Sequence, residues 1–347
     1  MPRLFVHAIN VHQGGGAVLL SDLLRAIPPW VEVVAHVDAR MVMPADMQAH
    51  IRVEQVRPTL LGRLAAERRL ARVVQPDDQV LCFGNLPPLF RLRGDAAVFL
   101  QNRYLVDAHA PLGALPLKAR IRLWLERLWL YECRSNARRY FVQTASMQRI
   151  AAGRLGVAVT CAPFVPASVM RPSLPAIGPD TRRFDFLYVA SGEAHKNHSA
   201  LITAWGMLAD EGLFPSLALT LAPEATPELC DRVVKEIASR GVRIHNLGVL
   251  PHDRLLAVYR ESGALIYPSS FESFGLPLIE ARQAGLAVLA PELDYVRDVT
   301  DPEETFDPRS PISIARAVRR FLEGRQPESE LRGADALLAH ILAGAVR

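Results

Sequence analysis

The chain has 347 residues, half of them apolar and 22% charged, with a formal net charge of +4. One hydrophobic core stops growing at about 250–300 residues, so this length implies roughly two domains, and the spread-out charge, with no basic tail and no aromatic–basic interleaving, argues against a nucleic-acid binder. No apolar run reaches the ~18 residues a bilayer crossing needs, and four cysteines at 82, 133, 161 and 230 form no close pair that would mark a zinc or disulfide framework.

The N-terminal stretch MPRLFVHAINV has no charged region followed by a long apolar run, so no signal peptide is expected, and a cytoplasmic protein is. Up to residue 161 the runs RLFVHAI, VEVVAHV, QVLCFG, AAVFLQ, RYFVQT and VAVTC predict buried strands, and LGRLAAERRLARVV and LPLKARIRLWLERLWLYECRSN have helical spacing. Pro163–Pro179 is rich in proline and poor in pattern, as a linker is. A second series follows: FDFLYVA, SLALTLA, VRIHNLG, ALIYPSS and LAVLAPE as strands, ALITAWGMLADE and PELCDRVVKEIASRG as helices. Strands alternating with helices predict parallel sheets covered on both faces. The expected fold class is therefore α/β, with two Rossmann-like doubly wound domains, residues 1–165 and 180–325, facing a central cleft. The pattern of about 328–347 predicts one helix, expected to pack back on the first domain. Ligands of such sheets bind beyond the carboxyl ends of the strands.

The richest stretch is YPSSFESFGLPLIEARQAGLAVLAPE, Tyr267 to Glu292. ALIYPSS ends a strand, Pro277 suits the first position of a helix and Gly285 its end. Glu272 falls in the loop and Glu280 in the first helical turn, with seven residues between them. Both carboxylates can reach one crevice at a helix N-terminus, whose free amides attract anions. Carboxylates bind vicinal hydroxyls strongly, so the set suits a phosphate flanked by two sugars. On spacing alone, an equally simple reading has Glu280 complementing the helix dipole and Glu272 solvated.

FESFGLPLIEARQAGLAVLAPE resembles the signature of retaining glycosyltransferases of family 4, bacterial cell-surface polysaccharide type. These have the two-Rossmann GT-B fold and carry E-G-F-G-L-P-x-x-E-A. Here Ser273 replaces the usual glycine after the first Glu. The resemblance implies that Glu280 holds the ribose hydroxyls and Glu272 the transferred sugar. It also implies that the backbone around Ser273, Phe274, Gly275 and Leu276 faces the diphosphate of a UDP- or GDP-sugar. That donor is a substrate, and neither a cofactor nor a metal is expected. Clustered aspartates for a metal are absent, and Asp77-Asp78 reads as a turn.

Lys196 is one of three lysines, beside thirty-seven arginines. It falls in a strand-to-helix loop on the cleft rim, where a compact ammonium on a flexible stem can follow a phosphate as charge develops. By resemblance it binds the donor diphosphate. Many members pair it with an arginine five residues earlier, where this chain has Ser191. His195, His198 and Arg297 are then the candidates for a second cation. NVHQGGGAV opens a helix after the first strand, and Gly14, Gly15 and Gly16 let backbone approach a ligand, although a glycine run is equally an ordinary turn. FLQNRYL ends another strand: Gln101 holds the position where members often have a sugar-contacting histidine, with Asn102 beside it. Gly248, Val249 and Leu250 fall where the family's base-binding loop lies.

The helix KARIRLWLERLWLYECR carries Arg120, Arg122, Arg127, Trp124 and Trp129. Apolar residues occupy most of its circumference, which predicts a core helix with cationic edges; acceptors in the resembled family are often lipid-linked, and the alternative is contact with an anionic membrane surface. The expected activity is retaining, metal-independent transfer of a hexosyl or N-acetylhexosaminyl group to a glycan or lipid-linked acceptor. A nucleotide-sugar epimerase and a non-catalytic nucleotide-sugar binder remain the alternatives.

Overall fold

A computed structural model of the chain describes residues 3–43, 50–166 and 182–324. The 328–347 helix and all but the first residues of the Pro163–Pro179 linker lie outside the described residues. Each lobe is built on one fully parallel sheet. The first holds β1 (Arg3–Ala8), β2 (Glu32–Asp38), β3 (Ile51–Val56), β4 (Gln79–Cys82), β5 (Asp95–Phe99), β6 (Arg139–Val142) and β7 (Val159–Cys161) in the order 3-2-1-4-5-6-7. The second holds β8 (Phe184–Tyr188), β9 (Leu217–Leu219), β10 (Ile244–Asn246), β11 (Ser262–Ile266), β12 (Ala287–Pro291) and β13 (Glu304–Phe306) in the order 10-9-8-11-12-13.

The runs LAL of β9 and ALI of β11 are buried at every residue, as strands covered on both faces must be. In the first lobe two separate apolar clusters, one around Leu70, Leu123 and Tyr140 and one around Leu20, Leu24 and Phe83, cover the sheet. In the second a single cluster around Phe186, Trp205 and Tyr259 does so. Ten helices are described: α1 (Gly14–Ala26), α2 (Leu60–Val73), α3 (Leu117–Glu132), α4 (Ala145–Leu155), α5 (His198–Asp210), α6 (Pro227–Arg240), α7 (His252–Arg260), α8 (Leu276–Gln283), α9 (Asp294–Arg297) and α10 (Pro311–Glu323).

The strand orders position the site. In each sheet the chain first builds outward from the starting strand and then returns to its other side, so the order reverses between β1 and β4 and again between β8 and β11. Loops leaving two such strands diverge to opposite faces and leave a crevice between them. Those loops carry Asn10 and Gly14–Gly16 after β1, Asn85 after β4, Lys196 after β8 and Glu272 after β11.

The core-helix expectation for α3 is corrected. Only Leu123 and Leu130 of α3 are buried. Its inward side is pinned by polar contacts instead: the Arg127 guanidinium donates to the carbonyls of Tyr104 (2.8 Å) and Asp107 (2.9 Å), and Trp129 Nε1 donates to Pro87 O (2.9 Å). Leu117, Ile121, Trp124, Leu125 and Leu128 face outward.

Candidate active site

The second lobe supplies two loops that meet. After β8 the chain makes a short 3-10 turn, Ala194–Lys196, and Asn197 in the left-handed region (φ 54°) starts α5. Asn197 Nδ2 donates to Pro268 O (2.9 Å), and the Ser270 amide donates to His195 O (2.8 Å), so this turn is stitched to the loop after β11. Tyr188 OH donates to the Lys196 carbonyl at 2.6 Å and fixes the turn from below.

Lys196 and Glu272 are brought into direct contact, ammonium to carboxylate Oε1, each with 14% of its side chain exposed. The same oxygen accepts from Ser269 Oγ at 2.7 Å and Tyr267 OH at 3.0 Å. Burial, followed by the nearby Glu272 charge, drives the Tyr267 phenol well above its ordinary value, so it keeps the proton it donates. Three donors thus converge on one oxygen of this carboxylate and fix its position.

Glu280 sits in the second turn of α8, because the helix starts at Leu276 with Gly275 as its N-cap. This corrects the expected first-turn position and the expectation of Pro277 as the first helical residue. Glu280 is buried, 5% exposed, and accepts from Tyr259 OH at 2.8 Å. Burial pushes its carboxyl up to about 7, against the lowering effect of the Tyr259 hydrogen bond. A carboxylate serving only the helix dipole would sit exposed in the first turn with its charge favoured. Glu280 does the opposite, so the dipole reading fails. Gly275 takes φ 74°, and a Cβ there would meet Leu278 Cδ1 at 2.9 Å. That bend turns the backbone of Ser273, buried Phe274 and Gly275 into the free amide end of α8.

The three candidates for a second cation are each disfavoured by their surroundings. Burial lowers the His195 imidazole and takes His198 down to about 4, which disfavours the charged form of both. Arg297 is held by Glu292 (2.5 and 2.7 Å) and Asp301 (2.7 Å). Ser191 Oγ donates to Glu193 Oε2 at 2.5 Å. Gly248 has φ 71° and its amide donates to Asn246 Oδ1 (3.3 Å); Val249 beyond it is exposed and Leu250 half-buried.

In the first lobe Gly14, Gly15 and Gly16 form the first turn of α1, so their amides are helix-end donors. A Cβ on Gly16 would lie 3.7 Å from Gln101 Oε1, which joins the glycine turn to the end of β5. Asn85 (φ 71°) accepts the amides of Gln101 (2.5 Å) and Asn102 (2.8 Å) on its side-chain oxygen. Asn102 in turn accepts the Tyr104 amide at 3.0 Å, and Gln101 Nε2 donates to Phe83 O at 3.3 Å.

Sequence reasoning missed the residues that join the lobes. Arg103 donates to Asp107 (2.8 Å), to both oxygens of Asp294 (3.0 and 3.2 Å) and to the Glu272 carbonyl (3.3 Å), and it lies over the Phe271 ring at 5.0 Å. Tyr104 packs on Phe271 (4.6 Å between rings) and its OH reaches His195 Nδ1 at 3.4 Å. Ser146 at the start of α4 donates its amide to Asp298 (3.1 Å). The signal available was Arg103 and Tyr104 directly after Gln101-Asn102 at a strand end, but their partners in the other lobe lie 91 to 191 positions away in sequence.

The fold is the two-lobed GT-B arrangement, and comparison with known proteins agrees. Anabaena HepE, solved in complex with UDP, superposes with a TM-score of 0.65 over 94% of this chain and 91% of that one, at 17% identity, which is a likeness of fold. Residues 172–334 match the family described as glycosyl transferases group 1. The serotype-specific mannosyltransferase WbdA of Escherichia coli is 32% identical over 161 residues, 45% of this chain and 19% of WbdA. The O-antigen chain mannosyltransferase B of E. coli is 28% identical over 141 residues, 40% of this chain and 36% of the relative. The chain thus matches a fifth to about a third of the length of these relatives.

Proposed function

We propose that this chain is a retaining glycosyltransferase. It moves a sugar from a nucleoside-diphosphate sugar to a hydroxyl of a glycan, with a lipid-linked glycan the first acceptor to try, in cell-surface polysaccharide synthesis on the cytoplasmic side. The carrying observation is that Lys196 and Glu272 meet at the switch point of the second sheet, within one loop-and-helix unit of the buried Glu280. Two mannosyltransferase relatives make a hexosyl group, mannose first, the favoured cargo.

Glu280 takes the ribose hydroxyls, the α8 amides and Lys196 take the diphosphate, and Glu272 takes the sugar. The base lies against Gly248, Val249 and Leu250. Gly14–Gly16, Gln101 and Asn102 close the other wall. The bond from sugar C1 to the diphosphate oxygen breaks and the acceptor oxygen bonds C1 on the same face. The acceptor proton passes to the departing diphosphate. Lys196 and the helix amides stabilise the charge that grows there, so no metal is invoked.

Incubation with UDP- and GDP-sugars and a panel of lipid-linked glycans tests this. Nucleoside diphosphate should be released and a glycan extended, and Lys196→Ala and Glu272→Gln should each lower turnover by at least about a hundredfold. Turnover that survives both substitutions would refute the assignment. Conversion of the donor without acceptor would point to an epimerase, and binding without turnover to a nucleotide-sugar carrier.

A further inference from the structure

The second lobe holds a pocket of about 240 Å³ whose walls do not include Lys196, Glu272 or Glu280, so it is separate from the cleft. It lies at the N-terminus of α5, between Leu229 in the first turn of α6 and Arg309 in the loop before α10, and both of those helices pack along α5. The first amides of a helix have no partner within it. Asn197, the N-cap, spends its side-chain amide on Pro268 O (2.9 Å) and caps none of them. His198 lines the pocket, is 2% exposed, and has both ring nitrogens buried without a hydrogen-bond partner among the described residues. Every protonation state of an imidazole has at least one N–H to donate, and an enclosed polar group with no partner needs something to pair with. Arg309 is exposed; Asp307 holds its backbone amide at 2.9 Å, and its guanidinium has no ion pair among the described residues. Glu193 also lines the pocket and accepts from Ser191 Oγ at 2.5 Å. Burial raises its carboxyl, but the Ser191 hydrogen bond and the Lys196 charge bring it below its ordinary value, so it is ionised.

We infer that this pocket binds a phosphate group that still carries a proton, either the free ion or a small monoester. Free helix amides at the positive end of the α5 dipole are an anion site. The His198 N–H and the Arg309 guanidinium add side-chain donors to it. Glu193 then selects among anions. An ionised carboxylate can only accept. A protonated phosphate has an O–H to give it, whereas sulfate has none and meets an unpaired like charge. A single water needs roughly 10–15 Å³ of such space, so the pocket leaves room for the organic part of a monoester. None of this uses the groups of the cleft, and it holds whether or not the cleft transfers sugar.

Calorimetric titration of the full chain with inorganic phosphate, glycerol 3-phosphate and sulfate tests it, at pH 6, where both phosphates keep a proton. Each phosphate should bind once per chain, and sulfate at least about fivefold more weakly. Tighter binding of glycerol 3-phosphate assigns the site to an ester, and equal affinities assign it to the free ion. Arg309→Gln should weaken both phosphates at least about tenfold, with the melting temperature unchanged because the residue is exposed. Glu193→Gln should bring sulfate within about twofold of phosphate, because the amide can donate to it. Lys196→Ala should leave phosphate affinity within about threefold, since only a screened charge is lost. Phosphate should also move the ring nitrogen signals of His198 in NMR spectra, the readout of direct contact. The inference is overturned if phosphate does not bind, if sulfate binds the native chain as tightly, or if the His198 signals stay still. It is overturned equally if phosphate is lost with Lys196→Ala and kept with Arg309→Gln, which would put the ion in the cleft.

Discussion

Glu280→Gln should make the protein more stable and a worse binder at the same time. The carboxyl moves from 4.5 to about 7 on folding because it is buried, against the lowering effect of its hydrogen bond from Tyr259 OH. That rise of about 2.5 units costs the charged form on the order of 3 kcal/mol. Because the folded value is the higher one, stability is full below pH 4.5 and is lost as pH rises through 7. Glutamine keeps the volume and still accepts from Tyr259. Chemical denaturation at pH 8 should therefore show the variant about 1–3 kcal/mol more stable than the native chain, and the gap should close near pH 4.5. Calorimetric titration of UDP and GDP at pH 8 should show affinity lower by about 10- to 100-fold, the loss of hydrogen bonds to a charged group. For the native chain, affinity should weaken by about tenfold per unit below pH 7, since the ribose selects the ionised carboxylate. A variant that is less stable at pH 8, or that binds nucleotide unchanged, would refute Glu280 as a buried charge kept for a ligand.

Acid should destabilise the native chain through two other groups. His36 and His198 are buried and lowered from 6.5 to about 4, so stability is lost as pH falls from 6.5 toward 4, by up to roughly 3 kcal/mol for each. Glu280 offsets about one of them, and denaturation midpoints measured between pH 7 and 4 should fall more steeply in Glu280→Gln; a flat profile contradicts the burial argument. Gly275→Ala forces a side chain into φ 74° against Leu278, which should cost about 1–2 kcal/mol in thermal or chemical unfolding and weaken nucleotide binding through the displaced α8 amides. Arg103→Ala removes the link from the first lobe to Asp294 and the Glu272 carbonyl. Donor turnover should drop by about tenfold while nucleotide affinity stays within about twofold, the signature of lost positioning. Arg103→Lys should not restore it, because one ammonium cannot span both Asp294 oxygens.

Much of the second lobe was legible because its chemistry is local. FESFGLPLIEARQ spells out loop glycine, helix start and both carboxylates within thirteen residues, and Lys196 stood out by composition. The contact between Lys196 and Glu272 was not legible, since it depends on β8 and β11 being neighbours, which strand order alone decides. β3 (IRVEQV) was missed because arginine, glutamate and glutamine break its apolar run, and that strand lies at the sheet edge where its face is half-exposed. α3 misled because hydrophobicity reads as burial unless something says otherwise. Here Arg127 and Trp129 take inward positions by reaching backbone carbonyls, and Leu117, Leu125 and Leu128 are turned out. Arg103 and Tyr104 could not be assigned to the site because their partners are in the other lobe.

Whether two acidic side chains and one ammonium hold a single nucleotide sugar is most directly tested by calorimetric titration of UDP, GDP and their sugars into the native chain, Lys196→Ala, Glu280→Ala and Arg297→Ala. One nucleotide per chain should bind the native protein. Lys196→Ala and Glu280→Ala should each weaken it at least about tenfold. Arg297→Ala should leave it unchanged, since Glu292 and Asp301 already hold that guanidinium on the surface. If no nucleotide binds, or if Lys196→Ala and Glu280→Ala bind as well as the native chain, the cleft is not a donor site.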